Sequence, residues 1–208
     1  MPRIRINPYF PAEVRALADA LGKYWRELAT RVNETTWEDL RFPAQSINPS
    51  GAAGAATVDA DTATLVFAGN TDQTCAGVAQ MPHRWARGTP IRPHIHLRFP
   101  TSANANTRWK FEYDVASVNG VFTNNLGTFT ALTPVTVANP QNIKTHAIAG
   151  LGEIDMTGYS ESCIILWRIT RLASSDDADN DANTCHLLEF DLHYQADKGG
   201  TPEDYPTL

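Results

Sequence analysis

The residues best suited to chemistry are two histidines, His94 and His96, in the segment PHIHLRF. Side chains two positions apart on a β-strand point to the same side of the sheet. Two imidazoles on one side can act as neighbouring ligands of a transition-metal ion, so this spacing is typical of a metal site. The element that must position them is a β-strand.

The sequence before and after this pair tests the metal hypothesis. The chain matches the opening of the metal-binding motif of cupin enzymes, in which a glycine, here Gly88, is followed by five residues and then the His-x-His pair. That motif then requires a carboxylate shortly after His96, but the chain continues with LRFPTSANAN, which contains no acid. The second half of the motif has no match around His146 or His193, and His83 has no ligand spacing either. A cupin-like metal-dependent enzyme is therefore the less favoured alternative, and we expect neither a metal nor a cofactor.

Alternation along the same strand gives a second test. The large apolar side chains form one set and the polar ones the other: Ile95, Leu97 and Phe99 against His94, His96 and Arg98. If the apolar set fills the core, the histidines lie outside it, whereas a cupin metal lies inside the barrel. We therefore predict that His94, His96 and Arg98 are surface or subunit-interface residues.

Other catalytic arrangements are absent from the sequence. It contains no Gly-x-Ser-x-Gly elbow and no glycine-rich phosphate loop, and most of its strand carboxylates alternate with core residues. Trp85, in PHRWARG, is the tryptophan that we expect to be exposed, and an exposed tryptophan often marks a partner or sugar site. The sequence predicts a binding protein and not an enzyme, with Trp85 as a possible ligand contact.

Composition narrows the partners. The 208 residues include 23 acidic and 17 basic side chains, a net charge of -6, which argues against binding to nucleic acid. No run of about 18 apolar residues and no signal peptide is present, so we expect no membrane partner and no export. Cys75, Cys163 and Cys185 are an odd number without a Cys-x-x-Cys pair, and we expect them to be small core residues.

A helical period occurs only near the N-terminus. Between residues 11 and 32 apolar side chains recur at alternating spacings of four and three, which predicts one amphipathic α-helix. These positions are Val14, Ala18, Leu21, Trp25, Leu28 and Val32. They also fit a heptad seam, so the helix could pair with copies of itself or lie on its own domain's sheet. We predict Val14, Leu21, Trp25 and Leu28 as contacts with a partner, in the first place other copies of the helix.

The remainder of the chain has the pattern of short strands separated by turns. Eight or nine strands without intervening helices predict an all-β fold, an antiparallel jelly-roll or β-sandwich, with the strand CIILWRI at its centre. We divide the chain into an N-terminal arm and helix, 1–36, and a body with a C-terminal tail, 37–208. Residues 48–62 are expected to be a flexible linker or a wrapped arm. Alternate aspartates in residues 174–184 suggest a solvated acidic loop in preference to a calcium loop.

The order of several short motifs between residues 37 and 204 carries a family resemblance. These motifs are Gln80-Met81-Pro82-His83, Pro93-His94-Ile95-His96, Trp167-Arg168 and Asp191-Leu192-His193-Tyr194-Gln195. In this order the chain resembles a family of bacteriophage and prophage structural proteins, described as head-fibre, head-decoration or tail-associated proteins.

The resemblance implies a virion component that acts by binding. It implies a jelly-roll body, a symmetric oligomer, here a homotrimer, and phage capsid or tail proteins as partners. Its location would be the virion, after synthesis in the bacterial cytoplasm. We favour a capsid decoration or head-fibre protein; a tail-associated fibre or a host carbohydrate-binding protein is the alternative.

Overall fold

A computed structural model describes residues 11–33, 36–49, 54–101, 104–122, 129–140 and 145–197 of the chain. Most of the predicted N-terminal arm, 2–11, and the whole predicted tail, 198–208, lie outside these residues.

The described residues form one α-helix, a short 3₁₀ helix and eleven strands. In chain order these are α1 (Ala12–Asn33), β1 (Thr36–Pro43), the 3₁₀ helix (Ala44–Ser46), β2 (Thr57–Asp59), β3 (Thr64–Phe67), β4 (Gln73–Gln80), β5 (Arg92–Arg98), β6 (Asn106–Ala116), β7 (Thr130–Ala131), β8 (Val135–Ala138), β9 (His146–Gly150), β10 (Ile164–Arg171) and β11 (Cys185–Ala196). The described part of the chain offers no helix with the length and apolarity that a membrane crossing needs.

The strands form two antiparallel sheets. One has the order β2-β3-β11-β5-β9, with β1 also paired to β11; the other has the order β4-β10-β6-β7, with β8 also paired to β6. From β3 to β6, and again from β9 to β11, each connection carries the chain from one sheet to the other. This is a jelly-roll, so the predicted all-β fold with one N-terminal helix is confirmed.

The core lies between the two sheets and is rich in aromatic side chains. Phe190 of β11 packs against Trp167 of β10, with ring centroids 4.4 Å apart, and against Phe111 of β6 at 5.6 Å. β10 lies between β4 and β6, so the prediction that CIILWRI is a central strand is confirmed. All three cysteines are buried and free, as expected of small core residues.

One bulge changes the facing of side chains along β11. The sequence pattern places Leu188 on the core face with Phe190, Leu192 and Tyr194, and for Leu188 this prediction is wrong. The register with β5 shifts between Leu187 and Glu189, so that Leu187 is fully buried and Leu188 only half-buried. An extra residue in one strand reverses the alternation that a regular strand would keep.

The acidic loop before β11 is solvated only in part: most of its residues are exposed, but two of its aspartates are not. Asp179 and Asp181 are buried, and Asp179 accepts two hydrogen bonds from the fully buried Arg171, at 2.9 and 3.0 Å. Arg171 also donates to the backbone carbonyls of Asp181 and Asn183. A charge buried with its partner costs far less than a charge buried alone, and Asp179 therefore serves as the counter-ion of this core arginine.

The segment expected to be a linker or a wrapped arm is partly ordered along the body. Ala55 bridges Thr74 of β4, and β2, at the end of this segment, pairs with β3. The described part of the segment is therefore a wrapped arm. The sequence pattern does not predict β2 or β8, which are only three and four residues long.

Candidate functional site

The outer face of the sheet formed by β1, β11, β5 and β9 carries a group of histidines and aspartates. Along β5 the apolar residues Ile95, Leu97 and Phe99 are fully buried, whereas His94, His96 and Arg98 are half-buried on the other face. The predicted facing of this strand is therefore correct. Four of the six histidines of the chain lie in this group: His94, His96, His146 and His193.

Asp191 lies at the centre of the group. It is paired with His94 in the register of β5 and β11, and it is only 3% exposed. Its Oδ2 atom lies 3.1 Å from His94 Nε2 and 2.9 Å from His96 Nε2. Two histidine side chains from one strand thus converge on a single carboxylate from the next strand.

Two further histidines flank this trio. His146 of β9 has its Nε2 2.8 Å from His96 Nδ1, and the two rings are stacked with centroids 5.0 Å apart. His193 of β11 has its ring 5.7 Å from that of His94, and its Nδ1 is 2.6 Å from Asp39 Oδ1. Each ring of the His94 and His96 pair therefore has an imidazole neighbour on its outer side.

The carboxylate changes the protonation of one histidine. The hydrogen bond with Asp191 raises the pKa of His94; burial opposes this change, and the charge of Asp191 adds to it. Because the folded pKa is raised, the stabilisation from this pair is fully present below the ordinary pKa and is lost as pH rises through the folded value. Asp191 therefore attracts positive charge to this face.

The arrangement is suited to binding a cation. Three ligand atoms from His94, His96 and Asp191 lie within 4.8 Å of one another, and a second set, Asp39, His94 and His193, meets the same limit. Imidazole and carboxylate are ligands of first-row transition metals. The sequence has no acid shortly after His96, and this was the reason to expect no metal. In the structure Asp191 of β11 supplies that acid, so this reason no longer holds.

The sequence provided only part of this site. His146 was expected to be an ordinary polar position and Asp191 a solvated strand residue, and no metal-binding motif was found around His193. The signal that could have found Asp191 and His193 is alternation in HLLEFDLHYQ, which places both on one face, once β11 is known to pair with β5.

Trp85 is not the exposed residue that the sequence suggests. It is 1% exposed, and its Nε1 donates to the backbone oxygen and the hydroxyl of Thr89, at 3.2 and 3.1 Å. The loop folds back onto the end of β11, where Trp85 bridges Ala196. The expectation that Trp85 is exposed is therefore wrong, because backbone pairing at the end of β11 draws its side chain into the core.

A second pair brought together by folding is His83 and Ser162. The Ser162 hydroxyl lies 2.9 Å from His83 Nε2, and Ser162 has a φ of 61°. The backbone amide of Ser162, however, donates to Met81, and that of Cys163 donates to Ser160. Both amides are used within the fold, so this pair lacks the donors that an oxyanion would need.

The apolar stripe of α1 is exposed. Val14 is 45% exposed, Leu21 49% and Trp25 60%, while the side chain of Leu28 lies outside the described residues. Leu17 and Tyr24, on the same stripe, are 63% and 58% exposed. The sequence left two alternatives for the helix, pairing with copies of itself or lying on its own domain's sheet. In the single chain the described part of the stripe does not pack on the sheet.

Comparisons with known proteins add distant structural likenesses. The chain matches no protein-family model, and no curated protein matches it significantly. The C-terminal family 22 carbohydrate-binding module of Clostridium thermocellum Xyn10B is 11% identical, with a TM-score of 0.39 over 74% of this chain and 92% of that one. A structure of TmCBM61 with β-1,4-galactotriose is 9% identical, with a TM-score of 0.31 over 80% and 91% of the two chains.

A viral protein is similar at the same level. A structure of infectious bursal disease virus, Gt strain, is 10% identical, with a TM-score of 0.29 over 93% of this chain and 36% of that one. At such identities and TM-scores, nothing about a ligand or partner of this chain follows from any of the three.

Proposed function

We propose that the chain is a structural protein of a tailed-phage particle, a capsid decoration or head-fibre protein, that acts by binding and assembles as a homotrimer through α1. The observation that carries the assembly is the exposed apolar stripe of that helix. The phage assignment is supported by the order of the motifs between residues 37 and 204, and the body is a jelly-roll.

The stripe calls for a partner because of its size. Five large apolar side chains on one helix are each at least 45% exposed: Val14, Leu17, Leu21, Tyr24 and Trp25. Fully burying a leucine-sized side chain stabilises a structure by about 1.5–3 kcal/mol. A contiguous apolar surface of this kind on a soluble domain is typical of an interaction site.

The spacing of the stripe indicates that the partner is another copy of the same helix. Val14, Leu21 and Trp25 belong to a heptad seam, which identical helices satisfy in the same register. Leu17 and Tyr24 widen the apolar face to three of every seven positions, more than the two of seven that a coiled-coil seam requires. This width favours a bundle of three or more helices over a pair.

The outer face of the sheet offers a second contact. His94, His96 and Arg98 are half-buried in the single chain and face away from the core. We keep them as contacts with a neighbouring subunit or the capsid, because they form a polar outer face that every subunit of a symmetric oligomer presents in the same way. In this proposal residues 1–36 attach the chain and residues 37–208 form the displayed body.

The experiment is sedimentation with particles of the phage or prophage that encodes the chain. Wild-type protein should sediment with the particles at a copy number set by capsid symmetry, and Leu21→Ser/Trp25→Ser should remain in the supernatant. Val78→Ser is the matched control, because Val78 is 58% exposed on the body and lies outside α1. Binding to isolated tails and not to heads would favour the tail alternative.

Retention of the protein on a column of host cell-wall polysaccharide would favour the carbohydrate-binding alternative. Absence of the chain from purified particles would contradict the virion assignment altogether.

A further inference from the structure

We propose that His94, His96 and Asp191 form a binding site for one divalent first-row transition-metal ion, with Zn²⁺ as the representative case. The proposed assembly uses His94 and His96 as a second contact, but the metal site does not require that assembly, because all three ligands belong to one chain and none lies on α1.

The ligand atoms already converge. The Nε2 atoms of both histidines lie 2.9–3.1 Å from Asp191 Oδ2, and the His94 and His96 ring centroids are 5.2 Å apart. Around a tetrahedral zinc ion with bonds of about 2.0–2.1 Å, neighbouring ligand atoms are roughly 3.3 Å apart. The two nitrogen–oxygen distances would therefore open by only a few tenths of an ångström on binding the ion, which is within the reach of side-chain rotation.

Two atoms of the site lack the hydrogen bonds that buried polar groups normally make. Within the described residues, His96 Nε2 and Asp191 Oδ1 are buried and have no hydrogen-bond partner. His96 Nε2 is close to Asp191 Oδ2 but does not form a hydrogen bond with it. Buried polar atoms are paired in most proteins, and a cation bound between His96 Nε2 and the Asp191 carboxylate would supply the partner that the nitrogen lacks.

A neighbouring side chain is placed to support the tautomer of His96 that metal binding requires. Its Nε2 can bind a metal ion when the ring proton is on Nδ1, and His146 Nε2, 2.8 Å from that atom, can accept the resulting hydrogen bond. The stacking of the two rings, with an interplanar angle of 16°, holds His96 in this orientation. Metal-binding histidines usually have such an outer partner.

The backbone holds the ligands in place. β5 lies between β11 and β9, and β11 is paired to β5 on one side and to β1 and β3 on the other. His94 and His96 alternate along β5, and Asp191 is paired directly with His94. Sites built on internal strands are more rigid than sites on loops.

The ligand set also selects the ion and the position. Two imidazoles and one carboxylate suit zinc and its neighbours better than calcium or magnesium, which prefer oxygen ligands.

The alternative set that uses His193 shares His94 but depends on Asp39, whose side chain is 39% exposed and is already 2.6 Å from His193. Asp191, nearly fully buried and with one oxygen unpaired, is the better anchor.

The experiment is calorimetric titration of the metal-free, untagged full chain with Zn²⁺. We expect one ion per chain and a dissociation constant in the micromolar range or below. His94→Ala/His96→Ala should abolish this binding, and Asp191→Asn, which keeps the shape of the side chain, should weaken it at least tenfold. His83→Ala is the matched control and should bind as the wild type does, because His83 lies outside the group.

Circular dichroism shows whether each variant is folded, and Co²⁺ provides a second measurement through the visible absorption of a four-coordinate ion. Folded wild-type chain that binds neither ion would overturn the proposal, as would unchanged binding by folded Asp191→Asn. Loss of binding in His193→Ala but not in Asp191→Asn would also overturn it in favour of the other ligand set. The helix variant Leu21→Ser/Trp25→Ser should bind Zn²⁺ as the wild type does, because the metal site needs no contact made by α1.

Discussion

Asp191 of β11 lies directly opposite His94 of β5, and its Oδ2 atom is 3.1 Å from His94 Nε2. The two residues are far apart in the sequence and meet only because the last strand of the chain pairs with β5. The buried carboxylate draws both β5 histidines toward one point, so the geometry of this face depends on the β5–β11 register.

Removal of the outer histidine should weaken metal binding without abolishing it. His146→Ala leaves His94, His96 and Asp191 in place but removes the hydrogen-bond partner of His96. Loss of such an outer partner typically lowers metal affinity about 10–100-fold. Titration with Zn²⁺ measures the affinity of this variant. The control is Ile148→Ala, because Ile148 is exposed, lies on β9 as His146 does, and is paired with His96 of β5. Equal affinities for His146→Ala and wild type would contradict the role given to His146.

Trp85 should act in folding. Its side chain is 1% exposed and hydrogen-bonded to Thr89, so Trp85→Ala should lower the free energy of unfolding by about 3–5 kcal/mol. Trp37→Ala, at a tryptophan 39% exposed, should cost much less. Urea unfolding of the variants measures both values, and a Trp85→Ala protein as stable as the wild type would restore the surface role.

The buried ion pair of the acidic loop should be essential for stability. Asp179→Ala removes the counter-ion of the fully buried Arg171 and should cost about 3–5 kcal/mol in the free energy of unfolding. Asp177→Ala, at an exposed position of the same loop, should change it by less than about 0.5 kcal/mol. Similar unfolding midpoints for the two variants in urea would show that the loop is solvated after all.

Glu112 should contribute a pH-dependent part of the stability. Burial alone would raise the pKa of Glu112, but the hydrogen bond from Arg168 and the charge of Lys110 outweigh it and lower the pKa below its ordinary 4.5. The contribution is therefore present above that value and is lost as pH falls through the lower, folded value.

The corresponding variant is Glu112→Gln, compared with the wild type by urea unfolding at several pH values. It should be less stable at neutral pH, and the difference should narrow as pH falls below about 4.5. A difference that stays constant down to about pH 3 would show that the carboxylate charge is not what stabilises this position.

Local alternation was sufficient to predict much of the fold. The pattern in HIHLRF placed Ile95 in the core and His94 outside, and the structure agrees. The four-and-three spacing of apolar residues placed the helix within one residue of its observed bounds. In both cases the information lies within a few neighbouring residues.

The parts that could not be predicted depend on pairing between distant segments. No local pattern indicates that Asp191 lies beside His94, or that Asp179 meets Arg171. Polar residues at a loop or an outer face have the same sequence pattern whether they are solvated or paired. The bulge at Leu188 is likewise invisible, because one extra residue alters the facing without altering the composition.

The central claim is that α1 assembles the chain into trimers, and the most direct test is the mass of the purified full chain by multi-angle light scattering. The account predicts three times the mass of one chain for the wild type and for Val78→Ser, and the mass of one chain for Leu21→Ser/Trp25→Ser. A wild-type protein with the mass of a single chain, its helix intact by circular dichroism, would contradict it.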